Sequence, residues 1–182
     1  MNVPDAGDNP YRGPVIESHT ELPPGSTLDE QLCFALYAAS RAMTGAYRPG
    51  LDRLGLTYPQ YLVMLVLWEH RSISVSELSD RLQLSTGTLS PLLKRLENAG
   101  LLTRRRRTDD ERLVQLTITD TGLKLLHETV PVRADMRTAV DMPAEEIRAL
   151  LEQLNSLTGR LRAAVAPSAE PPVPEDRLSQ PV

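Results

Sequence analysis

One cysteine and one run of arginines are the residues of this chain best suited to chemistry. Cys33, within Leu32-Cys33-Phe34-Ala35-Leu36-Tyr37, is the only cysteine in the 182-residue sequence. As a thiolate it would be open to oxidation to a sulfenic acid. Tyr37 follows one helical turn later and shares a face with it. Tyr47, Tyr58 and Tyr61 also fall within thirty residues after Cys33, in a chain otherwise poor in aromatics. Phenolic hydroxyls can donate hydrogen bonds to a thiolate and orient a peroxide. Against this, a helix dipole helps little two turns in. A free cysteine on an apolar helix is generally a small buried hydrophobe. Spacing alone favours that plainer reading and leaves the redox reading open.

The arginine run is Arg104-Arg105-Arg106-Arg107, followed by Thr108-Asp109-Asp110-Glu111-Arg112. The acids can pair with only some of these cations. A solvated hairpin needs no such run, whereas one that tracks a phosphate backbone does. Arg104, Arg106 and Arg112 are placed to reach phosphates or a narrow minor groove, with Asp110 orienting Arg112. Just upstream, Thr86, Thr88, Ser90, Lys94 and Arg95 gather donors for phosphates and base edges on one side of a predicted helix. Ser85 or Thr86 caps that helix, and Gly87 lets its backbone approach a groove.

The elements that must hold these residues read in unbroken order. Ser74-Val75-Ser76-Glu77 is a capping box that opens a short helix burying Leu78 and Leu82. A turn through Gln83 and Leu84 leads to a second helix, Thr88 to Asn98, with Leu89, Leu92, Leu93 and Leu96 on its inner side. Gly100 stands where a helix end favours a left-handed residue. Two strand patterns follow, Leu101 to Thr103 and Leu113 to Ile118, with the basic hairpin between them. The expected fold is mainly α with a small β wing, a winged helix-turn-helix, and the expected partner is double-stranded operator DNA. A lone helix-turn-helix pattern is weak evidence for this; the basic wing is what strengthens it.

Helices flank the head on both sides. Thr27-Leu28-Asp29-Glu30 is a second capping box, predicted to open a long helix that Pro49 ends. Thr57-Tyr58-Pro59-Gln60 opens the next, apolar nearly all round through Trp68 and so central to the core. Two helices are expected after the wing: one from Thr119, disturbed at Pro131, and one from Asp141-Met142-Pro143 carrying Ile147, Leu150, Leu151, Leu154, Leu157 and Leu161. Their apolar stripes are wider than the head can cover. A twofold homodimer explains them and presents two recognition helices about one DNA turn apart.

Composition sets further bounds. The formal charge is −4, but residues 1–27 hold −3 and residues 166–182 hold −2, leaving a mildly positive centre. A DNA binder needs a local basic patch, so overall acidity is no obstacle. Both ends are rich in proline and poor in core-forming residues, and they are expected to be disordered tails around a domain over 28–165. Within it the reader head is placed at about 58–118 and the dimerisation helices at about 28–53 and 119–165. No membrane span or signal peptide is evident, so the protein is expected in the cytoplasm. His19, His70 and His127 lack partners at metal-ligand spacing, so no metal and no cofactor are expected.

Asp29-Glu30-Gln31-Leu32-Cys33-Phe34-Ala35-Leu36-Tyr37-Ala38-Ala39-Ser40-Arg41 and Leu56-Thr57-Tyr58-Pro59-Gln60-Tyr61-Leu62 resemble the organic hydroperoxide resistance regulators within the MarR family of repressors. Gly87-Thr88-Leu89-Ser90-Pro91-Leu92-Leu93-Lys94-Arg95-Leu96 and Asp110-Glu111-Arg112 are similar to that family's recognition helix and wing. The resemblance covers roughly 28–165. It implies an obligate dimer whose Cys33 is oxidised by an organic hydroperoxide, the inducer, with Tyr47 and Tyr58 reaching the thiol across the dimer interface. Some family members carry a second, resolving cysteine; this chain resembles the one-cysteine type.

Without a resolving thiol, a sulfenate must meet a small cellular thiol, cyclise with a backbone nitrogen or oxidise further. A mixed disulfide places bulk where packed helices cannot accept it, and the operator is released. Two alternatives stand beside this reading. One is a repressor of the same fold that senses a small aromatic or anionic ligand, with Cys33 inert. The other is a one-cysteine peroxidase, which the missing resolving cysteine and the absence of any Cys-x-x-Cys pattern oppose. The chain is therefore expected not to be an enzyme.

Overall fold

The computed structural model describes residues 23–106 and 114–165. They fall into two compact units divided between Arg48 and Pro49.

In the first unit the Thr27 capping box opens only a 3₁₀ turn, Leu28–Glu30. The Thr27 hydroxyl and backbone N–H both donate to Glu30 Oε2, at 2.7 and 3.2 Å. These bonds, the hydroxyl's first, hold the Glu30 carboxyl below the usual carboxylate range. Gln31 is then extended (φ −86°, ψ 108°), and helix α1 begins afresh at Leu32–Arg53. The predicted stop at Pro49 is corrected too, because α1 runs through it. Proline in a helix interior costs about 3 kcal/mol. Packing directly after it offsets that cost: Gly50 and Leu51 are buried, and a Cβ on Gly50 would lie 2.9 Å from the Val132 methyls.

The second unit is built on α2, Tyr58–His70. The Thr57 N–H and hydroxyl donate to Gln60 Oε1 at 2.8 and 3.0 Å, closing the helix start. Val63, Met64, Leu67 and Trp68 are buried, which matches a helix apolar on nearly every side. Strand β1 (Ser72–Ser74) leads into α3 (Val75–Leu82), and α4 (Thr86–Asn98) follows after left-handed Gln83 (φ 58°). Leu78 is fully buried, whereas Leu82 is only half-buried. Gly100 (φ +71°) ends the pair as predicted.

The sheet has three strands, not two. β2 (Leu102–Arg106) and β3 (Val114–Ile118) pair antiparallel, and β1 adds to the far edge of β3, giving the order β1-β3-β2. β1 is only Ser-Ile-Ser, too short to show an alternation in sequence. β2 also extends into the basic run, so Arg104, Arg105 and Arg106 are strand residues rather than loop. The predicted start of the second strand, Leu113, lies outside the described residues.

Three helices follow the wing where two were expected: α5 (Asp120–Glu128), α6 (Val130–Val140) and α7 (Ala144–Val165). Buried Thr129 ends α5 and starts α6, and its hydroxyl donates to Leu126 O at 2.7 Å. Pro131 takes the first turn of α6, where its missing N–H costs nothing. It therefore begins a helix, rather than disturbing one. No residue of α7 is buried, and Leu150, Leu151 and Leu161 are exposed along it. No described helix is long and apolar enough to cross a membrane.

The α3 cap is the local contact most simply tested. Ser74 Oγ accepts from the Glu77 N–H at 3.2 Å, and Glu77 Oε2 accepts from the Ser74 N–H at 2.9 Å. Ser74→Ala is expected to lower the unfolding free energy by about 1 kcal/mol. Urea denaturation should show a lower midpoint at unchanged slope; an unaltered midpoint would contradict the assignment.

Candidate functional site

Helix α4 is held by one face. Leu89, Leu93 and Leu96 are completely or almost completely buried, and their spacing leaves the other side bare. Ser85, Thr86, Gly87, Thr88, Ser90, Lys94 and Arg95 are all exposed. Ser85 caps the helix by accepting from the Thr88 N–H at 3.2 Å, and the two hydroxyls lie 2.9 Å apart. Ser90 Oγ donates to Thr86 O at 2.9 Å. The first turn of α4 carries no acid, so its free N–H groups and dipole face outward uncompensated. That is a favourable end for a phosphate.

Arg95 also lines a cleft of about 530 Å³ with Leu54, Leu56, Gln60, Ala99 and Leu125. Both α4 cations, Lys94 and Arg95, are exposed.

The wing places its arginines by strand alternation. Arg104 pairs with Leu116 and Arg106 with Val114, on the face that carries Leu102; Arg105 pairs with Gln115 on the other face. Arg105 and Arg106 are exposed and Arg104 is half-buried. Beside Arg104 and Arg106, the cations expected from the sequence, strand geometry makes Arg105 equally available. The described ion pairs, Arg53–Asp135, Arg81–Glu69 and His70–Glu69, engage none of these arginines. Asp110 and Arg112 lie outside the described residues.

In the first unit Cys33 is exposed on α1. This differs from the buried position that a free cysteine on an apolar helix usually takes. Tyr37, one turn on, is 57% exposed, and its hydroxyl accepts from Arg41 Nη1 at 3.0 Å. The Arg41 guanidinium also lies over the Tyr37 ring, 5.6 Å from its centroid. Because that hydroxyl accepts from Arg41, its own proton stays available for donation. Arg41 was missed in the sequence, although its spacing four residues after Tyr37 was a readable signal. Tyr47 is half-buried on α1. Tyr58 belongs to the second unit, half-buried, its ring 6.4 Å from that of Tyr61.

Comparison with known proteins bears on both sites. A family model described as the MarR family matches residues 56–114. The organic hydroperoxide resistance transcriptional regulator of Bacillus subtilis is 43% identical over 130 residues, covering 71% of this chain and 88% of that protein. The transcriptional regulator TtmR of Methylorubrum extorquens is 45% identical over 148 residues, or 81% of this chain and 76% of its own. Among solved structures, reduced AbfR bound to DNA superposes with a TM-score of 0.63 at 35% identity, covering 74% of this chain and 94% of that one. The overoxidised form of the same protein, also bound to DNA, gives a TM-score of 0.62.

The two parts of the interface should respond differently to substitution. Arg106→Ala is expected to weaken binding to every duplex and to flatten the salt dependence by about one unit of slope. Thr88→Ala should cost roughly 1–3 kcal/mol on a cognate duplex and much less on random DNA. Fluorescence anisotropy over a salt series measures both. Equal losses on the two duplexes for Thr88→Ala would show that α4 only clamps phosphates.

Proposed function

The chain belongs to the MarR family, and from that premise we propose that it is a dimeric DNA-binding repressor that releases its operator when an organic hydroperoxide oxidises Cys33. The observation that carries this reading is an exposed thiol on α1, one turn from a tyrosine hydroxyl. It stands in a chain 43% identical to an organic hydroperoxide resistance regulator across most of that regulator's length. The bare face of α4 and the arginines of β2 supply the DNA contacts. The exposed leucines of α7 supply apolar surface for a second copy.

The chemistry balances with one thiol per subunit. The Cys33 thiolate attacks the terminal peroxide oxygen; an S–O bond forms, the O–O bond breaks, and the alkoxide leaves and is protonated to the alcohol. The sulfur is oxidised to a sulfenic acid. A small cellular thiol then attacks that sulfur, forming a disulfide and releasing water. In this reading Tyr47 and Tyr58 of the opposite subunit donate hydrogen bonds to the thiolate, as the family resemblance implies.

Bulk, more than added oxygen, is the releasing element. AbfR is described bound to DNA in both its reduced and its overoxidised forms, so overoxidation and DNA binding coexist in that protein. A thiol adduct is far larger, and close-packed helices cannot admit it without shifting. A loss of about 4 kcal/mol would lower affinity roughly a thousandfold.

The Arg95 cleft favours one second reading. Its volume of about 530 Å³ and its largely apolar lining with one cation suit a small aromatic anion. A sensor of that kind would respond without Cys33.

An operator gel shift with cumene hydroperoxide and a small thiol separates the readings. Wild type is expected to lose the shifted band, while Cys33→Ser keeps it at every peroxide dose. Tyr47→Phe and Tyr58→Phe should bind DNA normally when reduced and be released more slowly. Release of Cys33→Ser by the peroxide would refute the redox reading.

A further inference from the structure

The end of the recognition helix meets the start of α5 at Thr119, beside the first pair of the β2–β3 ladder, Leu102 and Ile118. The chain leaves α4 through Gly100 and Leu101, with Leu101 N–H donating to Leu96 O at 3.0 Å. Thr119 then meets this corner twice and caps α5 with the same hydroxyl. Its hydroxyl donates to Gly100 O at 2.6 Å, its N–H donates to Leu101 O at 3.1 Å, and the same hydroxyl accepts from the Gly122 N–H at 3.1 Å. Gly122 sits so close that a Cβ there would lie 2.2 Å from Leu101 O and 2.8 Å from Ile118 Cγ1. From the other side, buried Trp68 donates its Nε1–H to Gly122 O at 2.8 Å.

This is more than a helix cap. Capping α5 requires only an acceptor at position 119, which serine, aspartate or asparagine would supply equally well. The donation to Gly100 O adds nothing to the cap; it joins α5 to the end of α4. A backbone approach that admits no Cβ, closed by hydrogen bonds on two sides, leaves the joint little freedom to pivot. Helix α5 leads directly into α6 and α7, whose apolar surface the proposed dimer uses.

We infer that the Thr119–Gly122 joint fixes the pitch of α4 relative to the dimer-forming helices, and so sets the spacing of the two half-sites that the protein accepts. Thr119 is on this account a positioning residue, acting through the Gly100–Leu101 corner. The inference rests on the dimeric reading above. Two recognition helices address half-sites about one helical turn apart, so a small change in pitch at each is read as a change in preferred spacing.

The test uses the full chain and a duplex selected from a random library by the wild-type protein. Affinity is measured for that duplex, for versions with the half-sites moved one or two base pairs apart, and for an isolated half-site. Thr119→Asp keeps a cap acceptor but cannot donate to Gly100 O; Thr119→Ser keeps both roles. Thr119→Asp is expected to lose at least tenfold of the preference for native spacing, while Thr119→Ser retains it. The added charge of aspartate weakens all duplexes alike and cancels in that ratio. Trp68→Phe, which removes the donor to Gly122 O together with part of the buried ring that packs on Tyr61, is the second variant and should flatten the ratio in the same direction, with urea denaturation confirming that it remains folded. A wild-type ratio in Thr119→Asp or in Trp68→Phe would overturn the joint while leaving the dimer intact. A wild type that shows no spacing preference at all would overturn the dimeric reading, and the joint with it.

Discussion

A helix that reads DNA must be gripped along one face and left bare along the other, and the stripe of Leu89, Leu93 and Leu96 meets that constraint for α4. Each fully buried leucine is worth about 1.5–3 kcal/mol relative to exposure, enough to fix the rotation of the helix about its axis. With that rotation fixed, Ser85, Thr86, Thr88, Ser90 and Lys94 have only solvent to face. Other features serve the same end: the cap at Ser85, the left-handed Gly100 that turns the chain back, and the pairing of β2 with β3 that carries the arginines alongside. Loosening the stripe would leave the donors present but aimed at no particular place.

Sensing poses the opposite mechanical problem. In the function proposed above, the thiol must be accessible to a peroxide before reaction, and its modification must then be intolerable to the packing. Cys33 meets the first condition within the single chain, where it is exposed on α1. The second condition needs a neighbour, which the proposed dimer supplies. The proposed device separates recognition of the oxidant, assigned there to Cys33 and its tyrosine donors, from the response, assigned to bulk. It also accounts for a chain that manages with a single cysteine.

Much of this was legible in the sequence where the signal is local. The Ser74–Glu77 box, Gly100 and the Thr57–Gln60 helix start use contacts among near neighbours and stand where expected; of the α4 stripe Leu89, Leu93 and Leu96 are buried while Leu92 is only half-buried. The misreadings share a different cause. The Thr27 box has the same signature as the Ser74 box, yet it closes only a 3₁₀ turn, because a cap says how a helix starts and nothing of how far it runs. Pro49 failed to stop α1 because Gly50 packs against Val132, a contact eighty-two residues away in sequence. β1 is held by pairing with β3 across forty-odd residues, which no alternation within three residues can announce. At the site, the donors of α4 follow from periodicity; Arg41 was also within reach of helical spacing, whereas Arg105 needs the extension of β2 into the basic run to place it.

The central claim, that operator release follows a change at the Cys33 sulfur and nowhere else, is most directly tested by following both events in one sample. Operator-bound protein would be titrated with an organic hydroperoxide in the presence of a small thiol, with anisotropy reporting release and intact-protein mass spectrometry reporting the adduct. The account predicts that the released fraction rises in step with the fraction carrying the thiol on Cys33, saturating near one peroxide per subunit. Release from protein whose Cys33 is unmodified, or full adduct formation with the operator still bound, would contradict it.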